Sequence, residues 1–332
     1  MQKSSKINKK AISNFVQNNA IIIIILMIMI FVGIKTDNFL SMDNFKNLAV
    51  NTAPRFIIAL GVSGCLITKG TDLSAGRIAG LGACIAATLL QKSDYSGKVY
   101  ANLPDQNILL VFGLTIFICG IFGFMNGTII SFLKVPPFIA TLGMQTLVYG
   151  ICLVYTKSKP IGNLRDNFTL IAKGNILRIP YLLIIAVVCG GLMWLLYNKT
   201  RHGKYMYAIG GNENAAEVAG VNTNRVKIKI YTLAAMLYAL GGILLAAKAG
   251  GTSVNMGGGY ELEAIAACTI GGVSTNGGVG KVSGILIGVL VFELLKISLQ
   301  FLGVETSYTY IVQGLVIIIA VALDLRKYLA KK

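Results

Sequence analysis

Long apolar stretches recur along the whole chain, and they constrain it more than any motif does. They run over residues 16–34, 53–68, 73–91, 108–133, 138–155, 180–197, 228–247, 260–274, 282–300 and 308–325. Bilayer hydrocarbon is ~30 Å thick and a helix rises ~1.5 Å per residue, so about 20 apolar residues cross it. The expected fold class is therefore an all-α integral membrane protein, a polytopic bundle of about ten transmembrane helices. Two segments read as short or broken: 53–68, which Pro54 is expected to kink, and the stretch from Tyr260, which opens with Glu261 and Glu263. Composition agrees, because 55% of the residues are hydrophobic and only 13% charged, against roughly 25% charged in soluble domains.

The charge of +17 raises the possibility of nucleic-acid binding, but the basic residues fall between apolar runs and form no contiguous basic face. Topology accounts for them better. With the N-terminus in the cytoplasm and ten crossings, 18 of the 30 Lys and Arg fall inside and 12 elsewhere. Both termini are then cytoplasmic, and so is the basic loop 198–227. The domain plan is a cytoplasmic tail at 1–15, one transmembrane domain at 16–326 containing that loop, and a cytoplasmic tail at 327–332. Lys3, Lys6, Lys9 and Lys10 precede the first apolar run as in a signal peptide, yet no small-residue cleavage site follows.

Enzymatic and metal chemistry have little to work with. Six cysteines lie singly in apolar segments, as small buried hydrophobes do. The one histidine, His202, sits in a basic loop and reads as a solvated residue. The nearest phosphate-loop imitation, Asn276 to Val282, lacks the first glycine at Thr275 and the hydroxyl residue after Lys281. No cofactor is expected in this chain, and ATP, if it drives the protein, must be bound by another one.

Several polar features carry candidate roles. The turn Thr68 to Arg77 is charged and glycine-rich; Asp72 or Ser74 either caps the next helix or stands at the mouth of a pathway. Within or beside the spans lie Asn126, Thr141, Gln145, Glu261, Glu263, Glu293 and Lys296. Asp72, Asn126, Thr141, Gln145, Glu261 and Glu263 are the candidate pathway residues. Glu261 and Glu263 are placed near a membrane boundary, and Glu293 and Lys296, three apart, are expected to pair with each other. Gly76 to Leu81 echoes Gly280 to Ile285, each opening a helix after a glycine-rich turn on the same side. Glycines such as Gly123, Gly127, Gly191, Gly242, Gly284 and Gly288 are expected to let helices approach closely.

The most informative soluble stretch is Gly210, Gly211, Asn212, Glu213, Asn214, Ala215, Ala216, Glu217, Val218, Ala219, Gly220 and Val221. Asn214 with Glu217 resembles a capping box, and Gly220 supplies a stop. The helix so defined is too short to stand alone and needs a docking surface.

Taken in order, GTDLSAGR (Gly70 to Arg77), PPFIATLG (Pro136 to Gly143), TRHGKYMYAIGGNENAAEVAGV (Thr200 to Val221), ELEAIAACTIGGVSTNGGVGKVSG (Glu261 to Gly284) and ALDLRKY (Ala322 to Tyr328) resemble one family. It is the permeases of ABC importers for ribose, xylose, arabinose and galactose. Likeness extends from Phe39 to Lys327, and Thr71 and Ala75 look like its galactoside branch. The resemblance implies a homodimer in the bacterial inner membrane, fed by an extracytoplasmic sugar-binding protein and seated on a cytoplasmic ATPase, with 210–221 as the coupling element. The competing class is a secondary transporter driven by protons or sodium, for which Glu293 and Lys296 are the candidates.

Overall fold

The computed structural model describes residues 20–329; the basic tail 1–15 and the first residues of the 16–34 span lie outside them. The helices are α1 (Ala20–Lys35), α2 (Met42–Ile67), α3 (Ala75–Leu89), α4 (Ile108–Phe132), α5 (Pro137–Thr156) and α6 (Asp166–Lys173). They continue with α7 (Tyr181–Lys199), α8 (Arg201–Gly211), α9 (Glu213–Val218), α10 (Thr223–Ala249), α11 (Tyr260–Ile270), α12 (Val282–Phe301) and α13 (Thr306–Leu329).

Seven of these, α2, α4, α5, α7, α10, α12 and α13, are long and apolar enough to cross a membrane, and α1 and α3 are shorter apolar helices. The apolar segment 260–274 contributes only the eleven-residue α11. The remaining departures from a pure helix bundle are small. The connection 156–180 holds the unexpected helix α6 and a hairpin, β1 (Asn175–Ile176) with β2 (Ile179–Pro180), antiparallel with Asn175 opposite Pro180.

Two spans are longer than hydropathy indicates, because their first turns are polar. The segment with Pro54 is not short: α2 starts at Met42, where the Ser41 hydroxyl accepts from the Asn44 amide at 3.2 Å, and continues through Pro54 to Ile67. Asn44, Lys46, Asn47 and Asn51 disguise its first turns. Likewise α10 starts at Thr223, capped by Asn222 accepting from Arg225 N at 3.0 Å. The C-terminal helix also outlasts its apolar run, reaching Leu329.

The layering separates inner from outer helices. The most apolar window of α2 is 83% buried and that of α10 78%, whereas that of α13 is only 17% buried. Helix α10 forms the axis of the core, packed against α4, α3 and α2, while α12 lies on α2 and α11. In lipid the outward-facing leucines and phenylalanines of α4, α5, α7 and α13 lose nothing, so close packing decides the contacts. A Cβ at Gly284 would strike the Gly271 carbonyl and one at Gly288 the Ala267 carbonyl, so both glycines are needed for α12 to touch α11. Gly123 and Gly127 serve α4 against α10 in the same way, whereas Gly191 faces open space.

The echoed segments each open a helix: Gly76 lies in the first turn of α3 and Gly280 just before α12. The turns ahead of them meet. The Ile67 carbonyl, at the end of α2, accepts from the Gly278 amide at 2.8 Å.

Candidate functional site

Two helices begin inside the protein. The N-termini of α3 and α11 abut where Gly76 lies against the Gly257 carbonyl and the Glu261 carboxylate, so any side chain on Gly76 would collide. The approach to α11 is an irregular segment, 250–259, with left-handed glycines at 250, 257 and 259. Irregular backbone at membrane depth persists only when buried in protein or lining a wet cavity, and here Gly257 and Met256 are packed against Gly76 and Gly80 of α3.

The buried side holds Asp72, Asn126 and Thr141. Asp72 Oδ1 accepts from the Ser74 amide at 3.0 Å and the Ser74 hydroxyl at 2.5 Å. Asn126 Nδ2 donates to Ser74 Oγ at 3.0 Å, and the Leu73 amide donates to Thr141 Oγ1 at 3.1 Å. Asp72 thus closes a turn ahead of α3, whereas Ser74, the cap residue, makes no side-chain capping bond. All three candidates are fully buried and pin the 68–74 turn to α4 and α5.

The more open side gathers Gln145, Glu261 and three residues that sequence reasoning did not select. Gln145 Nε2 lies 3.5 Å from Glu261 Oε1, and Arg77 donates to the Val254 carbonyl at 3.2 Å. The Arg77 guanidinium stacks 4.2 Å from the Tyr149 ring centre, and the Tyr149 hydroxyl lies 3.5 Å from Asn255 Oδ1. Glu261 Oε2 is buried without a partner. An unpaired carboxylate oxygen, an amide, a guanidinium and an aromatic face are the groups that bind polyols: acceptor, donor, and apolar platform. The signal for Arg77 was present, since a charge in the first turn of an apolar helix needs a partner.

Glu263 belongs elsewhere. Lys296 Nζ donates to Glu263 Oε2 at 2.5 Å, Arg55 Nη1 lies 2.6 Å from Glu293 Oε2, and Arg55 Nε lies 3.6 Å from Glu263. Glu293 and Lys296 therefore pair across helices and not with each other. Their partners on α2 and α11 are closer than the one a turn away. Glu261 is buried and Glu263 is largely covered by these partners. Arg55 joins three helices and stacks 5.3 Å from the Tyr260 ring centre; as a charge at the start of the apolar run 53–68 it carried the same signal as Arg77, and the sequence reading passed over it. Lys248 reaches Asn51 alongside.

The far end carries the 198–227 segment, most of it helical. Helix α9 is capped by Asn212, not Asn214: Asn212 Oδ1 accepts from the Ala215 amide at 3.0 Å. Glu217 has no capping bond and instead accepts from the Thr223 hydroxyl at 2.5 Å, while Glu213 pairs with Lys227 at 2.6 Å. Asn212 wins because its extended backbone lies directly after α8, which ends at Gly211. Gly220, at φ 83°, ends the helix, with Val221 N donating to Ala216 O at 3.0 Å and Gly220 N to Glu217 O at 2.9 Å. The tip, Val218, is 91% exposed. Behind it, Gly210 sits against the Ile67 carbonyl and the Gly278 amide, and Lys69 Nζ donates to the Gly211 carbonyl at 3.3 Å. Tyr207 donates to the Gly280 carbonyl at 2.8 Å, and Asp324 of α13 accepts from the Thr275 amide at 3.1 Å and hydroxyl at 2.8 Å.

His202 is half-buried on α8 and not a solvated loop residue. Burial, with Lys229 nearby, pushes its imidazole below the ordinary value, so it is neutral at pH 7. All six cysteines are buried and free.

Comparison with known proteins agrees with this architecture. The family described as "Branched-chain amino acid transport system / permease component" matches residues 44–321. The galactose/methyl galactoside import permease protein MglC of Escherichia coli (strain K12) is 42% identical over 99% of this chain and 100% of its own length. The Haemophilus influenzae protein of that name is 41% identical over the same shares. The ribose import permease protein RbsC of Bacillus subtilis (strain 168) is 38% identical over 91% of this chain and 90% of its own. No solved structure matches. On this evidence the chain belongs to the permease family of ABC sugar importers.

Proposed function

We propose that the chain is the non-catalytic membrane subunit that passes galactose or methyl galactoside across the bacterial inner membrane. In this reading it works as a homodimer with an ATPase subunit and an extracytoplasmic sugar-binding protein. Its ten crossings are α1, α2, α3, α4, α5, α7, α10, the 250–259 segment with α11, α12 and α13. Both chain ends then share the cytoplasmic side with α8 and α9. Support comes from contacts at that end: Asp324 bonds Thr275, and Ile67, Gly210 and Gly278 bond or touch one another, as a ten-span path predicts.

The observation that carries the mechanism is the attachment of α9. Its exposed tip, Val218, is the kind of apolar anchor a partner cleft receives. The Gly210–Gly211 corner just before it bears on both the end of α2 and the turn before α12. An ATPase that grips α9 differently in its two nucleotide states shifts the population of permease conformations by that difference in affinity. The polar set Gln145, Arg77, Tyr149 and Asn255, backed by the buried Glu261, contacts the sugar, while Asp72, Asn126 and Thr141 hold the turn that positions it. Glu263 belongs to the ionic cluster behind.

Reconstitution of the permease with its ATPase and binding protein tests the reading. Radiolabelled galactose should enter ATP-loaded proteoliposomes and unlabelled ribose should compete poorly. The likeness to a ribose permease at 38% identity favours ribose as the second reading, and strong competition by ribose would select it. Uptake without ATP, driven by an ion gradient, would reject the importer mechanism.

A further inference from the structure

A groove of about 570 Å³ opens between α7 and α12 at the end of the molecule that carries α8. Both helices lean on α2, with Phe56 of α2 packed under Gly190 of α7, but they scarcely touch each other. The polar end of the groove is formed by Asn198, Tyr207, Lys281 and Ser283, and its apolar wall continues along Ile287. No carboxylate lines it. The charge it presents is therefore positive, carried by Lys281, which is exposed and forms no salt bridge among the described residues.

Other observations fix its chemistry and depth. Helix α12 begins at Val282 without a side-chain cap, so its first-turn amides add positive potential where Ser283 and Gly284 border the groove. On α7, one turn before Asn198, Trp194 is 47% exposed and Lys199 lies 5.8 Å from its ring centre. An exposed tryptophan with a lysine one turn on is the pairing that sits at lipid headgroup level. Beyond that level Ile287, on the α12 wall, is 49% exposed, as an acyl chain requires.

We propose that this groove holds one anionic phospholipid, its phosphate against Lys281, Ser283 and the first turn of α12, with an acyl chain along Ile287. A neutral sugar gains nothing from such a charge, and the groove lies apart from Gln145 and Glu261. The inference rests on the reading that α7 and α12 cross the bilayer.

Native mass spectrometry of the purified full chain in detergent, titrated with phosphatidylglycerol or phosphatidylcholine of identical acyl chains, tests it. One phosphatidylglycerol should be retained in preference to phosphatidylcholine. Lys281→Ala should reduce that retention about fivefold, the factor of one basic residue near an anionic headgroup, and Lys157→Ala at the opposite end should not. Equal retention of the two lipids, or no effect of Lys281→Ala, overturns the proposal. Independently of any variant, a photoreactive phosphatidylglycerol should label the peptide around Ser283 in the wild-type chain; labelling confined to other helices, or crosslinking of Ser283→Cys to a second copy, also overturns it. Carbonate extraction of cell membranes separates the two readings: a chain that stays in the membrane but shows no lipid preference refutes the site alone.

Discussion

Arg55 is the side chain on which most other charges in the core depend. It bonds Glu293 at 2.6 Å, approaches Glu263 at 3.6 Å and stacks on Tyr260. Removing one member of a buried ion pair strands the other, at about 3–5 kcal/mol. Arg55→Ala should therefore lower the thermal midpoint of the detergent-solubilised chain strongly, and adding Glu293→Gln should restore part of the loss. A double variant no better than the single one would show that Arg55 acts through packing alone. The same cluster marks the limit of what sequence showed at this scale. That Glu293 and Lys296 needed partners followed from the cost of charge in lipid, but the nearer partner by sequence was the wrong one. Choosing Arg55 and Glu263 required knowing that α2, α11 and α12 are neighbours, which no local spacing encodes.

Short α9 has too few turns for intrinsic stability, and specific contacts hold it, among them the Glu213–Lys227 ion pair. The others are the Asn212 cap, the Glu217 to Thr223 bond and the Gly220 stop. Gly220→Val should cost about 1–2 kcal/mol, because a left-handed backbone is strained for a branched residue. Val218→Asp should leave fold and membrane insertion intact, since the side chain is 91% exposed, yet uncouple ATP hydrolysis from uptake in proteoliposomes. Normal coupled transport by Val218→Asp would remove α9 from the drive train. Element positions were legible wherever an apolar run and its helix coincide, as for α4, α5, α7 and α12. They were not where a helix begins in polar residues, as α2 does at Met42, or where it is amphipathic and outside the spans, as α6 and α8 are. The stop at Gly220 could be read because only glycine takes that backbone cheaply. The cap was misplaced by two residues because Asn212 and Asn214 are chemically equal and only α8's endpoint chooses between them.

Across the whole molecule, burial divides the helices into an inner set around α10 and an outer set with apolar faces left open. Family membership was legible in sequence because five ordered motifs carry it, but their tertiary meaning was not. Three of them, GTDLSAGR, the Thr200 to Val221 segment and the glycine-rich stretch before α12, converge on a few ångströms at the end of α2. One oxygen, that of Ile67, takes the Gly278 amide at 2.8 Å and has Gly210 pressed against it. Because Ile67 ends α2 and Gly278 lies in the turn ahead of α12, a displacement at Gly210 bears on both helices at once. If α9 is the coupling element, an ATPase stroke has to carry the ends of both helices together, kept in step by rigid joining at one oxygen and not by matched strengths.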